Sequence, residues 1–241
     1  MWLISNKVSI KDSGLLEGFC DCHCHLLPGV DDGVQEMQET LQILELWEQT
    51  GVREVWLTPH IMEDVPNSPE DLSRQFEELK TSYHGSVELH LAAENMMDRL
   101  FHERLEQKNL LPIGKAGTHL LVETSYYNPP MNLQETIDNI RETGFTPILA
   151  HPERYQYMDM DDYQKWKQHG VLLQLNIASL VGAYGPEVQK KAEWLLGKEM
   201  YDCCGTDTHS LDFVEDFLDG SIKKKTVAAV RRIMGKLIIN N

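Results

Sequence analysis

The chain has 241 residues, of which 41% are hydrophobic and 25% charged, as is typical of a single soluble domain with one sizeable core. It has no apolar run near the roughly 20 residues of a membrane helix and no signal-peptide h-region after residues 1–4, so we expect neither membrane insertion nor secretion. The formal net charge of −16 would repel a nucleic-acid backbone, which excludes nucleic acid as the expected partner.

Short apolar runs alternate with stretches of helical periodicity, a pattern that predicts parallel strands joined by crossover helices. Residues 1–17 precede the first strand and are expected to form a loosely held extension or an edge element. Ser68 and Pro69 mark a helix start, and Gly51, Gly144 and Gly170 mark helix ends. The predicted strands are 19–24, 52–58, 87–94, 119–123, 146–151, 171–177 and 201–206. This alternation predicts one α/β domain.

Six of the seven predicted strands end in, or just before, a residue that can bind a metal ion. In a β/α barrel the functional site lies at the carboxyl ends of the strands, so residues scattered along the sequence would converge there. In chain order these residues are Asp21, His23 and His25 on the first strand, then His60, Glu94, Glu123 and His151, and finally Asp207 and His209 after the last strand.

The first strand also carries three of the five cysteines. Strict alternation would place His23 and His25 inside the barrel mouth and Cys20, Cys22 and Cys24 against the outer helices, as packing residues rather than ligands. The other two cysteines are adjacent at 203 and 204. An odd, bunched set does not look like a disulfide framework, so a reducing cytoplasm is the expected location.

Imidazoles and carboxylates without thiolates suit manganese, iron or zinc in a multinuclear site. Adjacent divalent ions can polarise a phosphoryl group and lower the pKa of a bridging water to give hydroxide. The convergent groups therefore indicate phosphoester hydrolysis without a protein nucleophile. The other histidines fall in predicted helices, turns or strand interiors, and we expect them to be structural: His84, His90, His102, His119 and His169.

Several motifs support a family resemblance that spans about residue 19 to the C-terminus. Residues 21–33 read DCHCHLLPGVDDG, and the later blocks are TPH at 58–60, Glu94, LVE at 121–123, AHPERY at 150–155 and DTH at 207–209. Together they resemble the polymerase-and-histidinol-phosphatase (PHP) superfamily, and within it the bacterial protein-tyrosine phosphatases of CpsB/CapC type.

The resemblance implies a single-domain, distorted (β/α)7 TIM-like barrel of PHP type over residues 18–241, with 1–17 as an N-terminal extension. It also implies three divalent metal ions, with manganese expected and iron or zinc as alternatives. The implied ligands are His23, His25, Glu94 and Asp207 for the first ion, Glu94, Glu123 and His151 for the second, and Asp32, His60 and His209 for the third. Asp32 is favoured over its neighbour Asp31.

The resemblance implies catalytic roles for His151 and Asp207 in the metal site and for Arg154, whose guanidinium suits a pair of phosphoryl oxygens. Family members often carry a second arginine soon after the Asp-x-His block, but residues 210–216 contain none, which puts substrate binding in question. Residues 125–130, SYYNPP, follow a metal-site strand and could supply an aromatic wall for a phosphotyrosine ring, or they could simply form a proline-stiffened loop with a packed aromatic residue.

The leading hypothesis is a metal-dependent protein-tyrosine phosphatase in which a metal-activated hydroxide attacks phosphorus. By the resemblance, its substrate would be the C-terminal tail of a bacterial tyrosine kinase that controls capsule or exopolysaccharide synthesis. The alternatives are a small-molecule phosphatase, such as one acting on histidinol phosphate, and a non-catalytic interaction module. A cysteine-based phosphatase is excluded, because it needs an arginine six positions after its cysteine, where this chain has Leu26, Pro28, Val30, His209 and Ser210.

Overall fold

A computed structural model describes residues 6–234, and residues 1–5 and 235–241 lie outside the described part. The strands are β1 (Lys7–Ser9), β2 (Cys20–Cys24), β3 (Glu54–Leu57), β4 (His60–Ile61), β5 (Glu88–Leu91), β6 (Glu94–Met96), β7 (His119–Glu123), β8 (Thr146–Leu149), β9 (Leu172–Asn176), β10 (Cys203–Gly205) and β11 (Ser221–Lys223). The helices are α1 (Met37–Thr50), α2 (Pro69–Ser82), α3 (Arg99–Gln107), α4 (Leu133–Glu142), α5 (Met160–Gln168), α6 (Pro186–Gly197), α7 (Leu211–Asp219) and α8 (Lys224–Met234). Short 3-10 helices cover Lys11–Ser13, Pro152–Arg154 and Ile177–Val181.

The strands between β2 and β10 pair in parallel, as expected for strands joined by crossover helices. One sheet has the order β10-β9-β8-β7-β6-β4, and a second has the order β2-β3-β5. Backbone hydrogen bonds of 2.8 Å, from Asp207 N to His23 O and from His25 N to Thr208 O, place the exit of β2 beside the segment that follows β10. The chain therefore has a mixed α/β fold built on parallel strands.

Each of the seven predicted strands is present, but two of them are interrupted. The second resumes as β4 after Pro59, which has no backbone N–H to donate to a ladder. The third breaks between β5 and β6, where Ala93 N donates instead to Leu111 O at 3.2 Å. These breaks separate the two sheets and bring His60 and Glu94 into register as direct neighbours on β4 and β6.

The predicted helix signals act as expected. The Ser68 side chain caps α2 by accepting a hydrogen bond from Asp71 N at 3.1 Å, and Pro69 occupies the first turn. Gly51 ends α1 with φ of 87°, a left-handed conformation that favours glycine. None of the helices in residues 6–234 is both long and apolar enough to cross a lipid bilayer.

The core has two parts. A large cluster joins the helices to the outward-facing strand residues and includes Trp47, Leu57 and Leu173. A small cluster consists mainly of strand residues on the opposite face, among them Trp56 and Leu121. Full burial of each such side chain contributes roughly 1.5–3 kcal/mol, so both clusters hold the strand ends in fixed positions.

The expected placement of the cysteines is wrong for two of them. Cys24 packs in the large helix-facing cluster, but Cys20 and Cys22 belong to the small inner cluster. The register of β2 against β3 shifts between Asp21 and Cys24, and such a bulge moves the following side chains to the other face. All five cysteines are buried and form no disulfide.

The N-terminal segment packs on the rest of the domain from residue 7 onward. Strand β1 pairs antiparallel with β11, with Val8 opposite Ile222. Ile10, Leu15 and Leu16 are buried in the large cluster. This segment adds a two-stranded edge beside α8 and the 3-10 helix Ile177–Val181.

Candidate functional site

The carboxyl ends of the parallel strands bring the predicted metal ligands together. Three groups of ligand atoms, each mutually within 4.8 Å, occur there: His23, His25, Glu94 and Asp207; His60, Glu94 and Glu123; and His25, Asp32, His60 and His209. His151 joins them through Nε2, which lies 3.0 Å from Glu94 Oε1. All nine ligands implied by the resemblance therefore lie in one cluster, whereas Asp21, also named from the first strand, lies outside the three groups and accepts hydrogen bonds from Thr206.

The first group is almost completely buried. His23 Nε2 lies 3.1 Å from Glu94 Oε2 and 3.4 Å from Asp207 Oδ1. His25 Nε2 lies 3.3 Å from the same Glu94 oxygen and 3.2 Å from His23 Nε2. Two imidazole nitrogens thus face two carboxylate oxygens across a space of a few ångström.

Glu94 belongs to both the first and the second group. Its Oε2 lies 3.3 Å from His60 Nδ1, and its Oε1 faces His151 Nε2. Glu123 completes the second group, with Oε1 3.2 Å from His60 Nδ1 and Oε2 3.9 Å from His151 Nε2. A carboxylate with one oxygen in each direction is well placed to bridge two cations.

The third group opens to solvent. Asp32 Oδ1 lies 3.5 Å from His60 Nε2 and 3.6 Å from His209 Nε2, and the Asp32 side chain is 72% exposed. The rings of His25 and His209 stack with centroids 4.1 Å apart. Asp32 therefore forms the outer edge of the cluster, where a substrate can approach.

Hydrogen bonds to Nδ1 fix the orientation of three imidazoles. His23 Nδ1 donates to Gln174 Oε1 at 3.2 Å, and His25 Nδ1 donates to Asp31 Oδ2 at 2.7 Å. His209 Nδ1 donates to the Asp207 carbonyl oxygen at 2.8 Å. In each ring the neutral tautomer then presents the Nε2 lone pair to the cluster. Hydrogen-bond partners fix the tautomer and orientation of metal-binding histidines in the same way.

The charges in the cluster shift one another's ionisation. Although burial opposes protonation, the Glu94 carboxylate raises the pKa of both His23 and His60 to about 10. Burial likewise opposes the charge of Glu94, but His23 and His60 hold its pKa well below the usual range. A hydrogen bond from His209 lowers the pKa of Asp32 to about 2. Glu94 and Asp32 are thus ionised at neutral pH and favour a cation placed beside them.

Unpaired atoms test whether divalent cations fit this site. Glu94 Oε2 is surrounded by nitrogens of His23, His25 and His60 at 3.1–3.3 Å, yet accepts no well-formed hydrogen bond. His60 Nδ1 is also buried without a hydrogen-bond partner among the described residues. Leaving such an atom unpaired costs about 1–3 kcal/mol. The surplus of lone pairs, all from nitrogen or oxygen, fits divalent cations of borderline or hard character.

Two site residues have a left-handed backbone although neither is glycine. His151 has φ of 32° and Asp207 has φ of 56°. His151 also precedes Pro152, a position that disfavours helical conformations, and such strain costs of order 1–3 kcal/mol. Each residue lies two positions after the end of a strand, and its side chain lies in the cluster.

Arg154 occupies a fixed position beside the cluster. Its Nη1 donates to Asp207 Oδ2 at 2.8 Å, and its guanidinium lies between the rings of Tyr126 and Tyr184, 4.3 and 4.4 Å from their centroids. The side chain is 19% exposed. Within residues 6–234 it is the only arginine at ion-pair distance from a carboxylate of the three groups. The Tyr126 ring is therefore packed against a cation.

Sequence reasoning missed three residues of the site. Asn176 Nδ2 and Tyr184 Oη donate to Asp207 Oδ2 at 3.0 and 3.2 Å, and Gln174 holds His23 as described above. Gln174 and Asn176 lie at the carboxyl end of β9, the one predicted strand to which no polar residue was assigned. That position was a usable signal, whereas Tyr184 follows a 3-10 helix and has no sequence signature.

The five remaining histidines lie outside the three groups. His102 Nε2 contacts Thr136 Oγ1 at 3.2 Å. His90 stacks on Trp56 and lies with Glu54 and Glu88 at the amino ends of the strands, where Lys115 and Arg53 add positive charge. His84, His119 and His169 contribute no atom to the groups.

Known proteins share both the sequence pattern and the fold. The profile of a family described as capsular polysaccharide synthesis, CpsB/CapC, matches residues 19–241. Tyrosine-protein phosphatase CpsB of Streptococcus agalactiae is 26% identical over 223 residues, which cover 84% of this chain and 88% of that protein. Tyrosine-protein phosphatase YwqE of Bacillus subtilis is 23% identical over 198 residues, which cover 79% and 77%.

A solved structure is similar along most of the chain. It comes from crystal structures of YwqE from Bacillus subtilis and CpsB from Streptococcus pneumoniae, described as metal-dependent tyrosine phosphatases. The TM-score is 0.74 at 19% sequence identity, and the match covers 92% of this chain and 89% of that one. At this identity the likeness establishes the shared fold.

Proposed function

Because the chain belongs to the CpsB/CapC family of capsular polysaccharide synthesis proteins, we propose that it is a metal-dependent protein-tyrosine phosphatase of PHP type. The observation that carries the proposal is the environment of Glu94, whose Oε2 faces nitrogens of His23, His25 and His60 without a hydrogen bond. Such a convergence of lone pairs at strand ends suits a site for divalent cations.

We assign three ion positions to the cluster. His23, His25, Glu94 and Asp207 would hold the first, Glu94, Glu123 and His151 the second, and Asp32, His60 and His209 the third. The short distances within each set support this division, with Glu94 shared between the first two. We propose manganese, with iron and zinc as alternatives. Bound divalent ions would polarise the phosphoryl group and lower the pKa of an attacking water.

The chain's own residues orient the phosphate. Arg154 keeps one N–H on Asp207, and its partly exposed side chain leaves other donors of the guanidinium for phosphoryl oxygens. Stacking between Tyr126 and Tyr184 holds the plane of the fork fixed, so little entropy is lost on binding. Asn176 and Tyr184 hold Asp207 in turn.

A cysteine nucleophile has no support in this fold. Burial raises the pKa of Cys22, Cys24 and Cys204 well above the usual range, which keeps the thiols protonated and unreactive. No cysteine belongs to the three ligand groups of the described residues. Buried, unpaired thiols also suit the reducing cytoplasm that we propose as the location.

We further propose that the parallel strands form a distorted (β/α)7 barrel. Its seven positions would be β2, β3 with β4, β5 with β6, β7, β8, β9 and β10. The hydrogen bonds between the exit of β2 and residues 207–208 support closure between the first and last positions. In this arrangement all site residues face one barrel mouth.

The proposed substrate is a tyrosine-phosphorylated protein, specifically the C-terminal tail of a bacterial tyrosine kinase that controls capsule or exopolysaccharide synthesis. The names of the relatives CpsB and YwqE support a phosphotyrosine substrate. A phosphatase for histidinol phosphate is the second candidate, because the same metal site could serve a small phosphate ester.

A direct test compares both substrates with one preparation. Chelator-treated protein is resupplied with manganese and assayed with a phosphotyrosine peptide and with histidinol phosphate. We expect metal-restored turnover that favours the peptide. His151→Ala should abolish turnover, while His84→Ala, the same change at an exposed histidine outside the site, should not.

Each other outcome has a defined meaning. Preference for histidinol phosphate would move the protein to the second candidate. Turnover that survives both chelation and the His151→Ala change would refute the metal-dependent reaction.

A further inference from the structure

A groove lies beside Arg154, between the segment that follows β8 and helix α6. Its volume is about 760 Å³, within the range of sites that bind small molecules or several side chains. Met160 and Tyr163 of α5 line one wall, and Val188 and Trp194 of α6 line the other. Of the residues assigned above to the metal site and to phosphate binding, only Arg154 contributes to the lining.

Few large hydrophobic side chains are exposed in the described part of the chain, and one of them lies in the groove. The exposed large hydrophobic residues of the described chain are Tyr127, Met131 and Trp194. Trp194 lies in the groove, and Tyr127 and Met131 lie in the loop after β7. The ring of Tyr126, in that loop, stacks on Arg154. The backbone carbonyl oxygen of Tyr126 accepts a hydrogen bond from the backbone N–H of Gln156, a groove residue, at 2.8 Å. Of the three exposed residues only Trp194 lines the groove, and an exposed tryptophan in a groove beside an arginine indicates a binding surface.

The charges of the groove leave one cation available. Lys190 is exposed and forms no ion pair within residues 6–234. Lys191 is engaged with the carbonyl oxygens of Tyr155 and Met158. The acidic lining residues are Glu153, Asp159 and Glu187. Glu153 accepts hydrogen bonds from Ser179 and Tyr201, Asp159 caps α5, and Glu187 lies in the first turn of α6, where the helix dipole favours it. In a chain of net charge −16, an unpaired lysine beside an exposed tryptophan suits an acidic and apolar ligand.

We propose that this groove binds the polypeptide that flanks the phosphotyrosine of a protein substrate, with an acidic side chain at Lys190 and an apolar one against Trp194. The inference rests on the proposed function. Because Arg154 borders the metal-ligand cluster and also lines the groove, the groove begins next to the proposed phosphate site. A small phosphate ester would extend no further than Arg154, so contacts with the groove would add nothing to its binding.

The test compares substrates of different length on metal-loaded full-length protein. The probes are free phosphotyrosine and phosphotyrosine peptides extended on either side by about five residues, roughly 17 Å when extended, that include glutamate and leucine. Trp194→Ala and Lys190→Glu should each lower kcat/KM for an extended peptide about tenfold, the loss expected when an interface anchor is removed. Both variants should hydrolyse free phosphotyrosine as the unmodified protein does.

Matched variants separate the groove from general surface effects. Tyr127→Ala removes the other exposed aromatic residue, and Lys198→Glu reverses a charge just beyond α6 outside the groove. Both should leave peptide turnover within about twofold, as surface changes usually do.

Two results would overturn the inference. If Trp194→Ala and Lys190→Glu leave the kcat/KM for extended peptides unchanged while free phosphotyrosine is hydrolysed, the proposed function stands and the groove is not the peptide site. If the unmodified protein hydrolyses neither free phosphotyrosine nor any peptide, the proposed function itself fails, and the groove assignment fails with it.

Discussion

Replacing Glu94 by glutamine removes the shared charge of the cluster with little change in shape. The carboxylate lies 3.0–3.3 Å from nitrogens of four imidazoles. At an effective dielectric constant of 20, a unit positive charge about 3.2 Å away interacts with it by about 5 kcal/mol, and a divalent ion by about twice that. Solvation of the free carboxylate offsets much of this energy. If about 3 kcal/mol remains, Glu94→Gln weakens metal binding about 100-fold.

The assay is a manganese titration of metal-stripped protein. Calorimetry measures the binding, and the recovery of phosphotyrosine hydrolysis measures the activity. Glu54→Gln is the matched control, since Glu54 is also fully buried but lies at the amino ends of the strands. It should lower stability without changing the affinity of the cluster at the carboxyl ends of the strands, because its own neighbours Glu88 and His90 lie outside that cluster. If Glu94→Gln binds manganese as tightly as the unmodified protein and retains its turnover, the role we assign to Glu94 is wrong.

Three further predictions follow from the site. Since the pKa values of His23 and His60 are raised to about 10 without metal, manganese binding at pH 7.5 should release about two protons and should become tighter as pH rises. Calorimetry in buffers of different ionisation enthalpy measures the proton release, and a finding of no release would contradict this prediction. Burial raises the pKa of Cys22 and Cys204, so iodoacetamide should label neither in the folded protein and should spare activity; mass spectrometry showing labelling with loss of turnover would contradict the assignment. Arg154→Lys should lower kcat/KM about 10²–10³-fold with metal content unchanged, because lysine lacks the planar fork; steady-state kinetics near those of the unmodified protein would remove Arg154 from phosphate binding.

The site was accessible from sequence because of a property of parallel strands. All of them point their carboxyl ends the same way, so a metal-binding residue at the end of each strand converges with the others. His60, Glu94, Glu123 and His151 were found by this rule although they are separated by up to 91 positions (151 − 60). The strand positions depended on buried apolar runs, which the core residues satisfy.

Local irregularities were not accessible in the same way. Alternation along β2 predicted one face for the three cysteines, but a register shift after Asp21 depends on pairing with β3 and leaves no composition signal. The interruption between β5 and β6 arises because Ala93 pairs with Leu111, a tertiary contact. Tyr184 reaches Asp207 only because the chain after β9 folds back over the strand ends.

Anomalous diffraction from crystals grown with manganese tests the central claim most directly, because it locates the metal independently of activity. The account predicts anomalous peaks among the histidines and carboxylates at the strand ends, with one within bonding distance of Glu94 Oε2. The account would be contradicted if the manganese peaks lay elsewhere and not at the cluster. It would also be contradicted if the cluster held no manganese while the protein still hydrolysed phosphotyrosine.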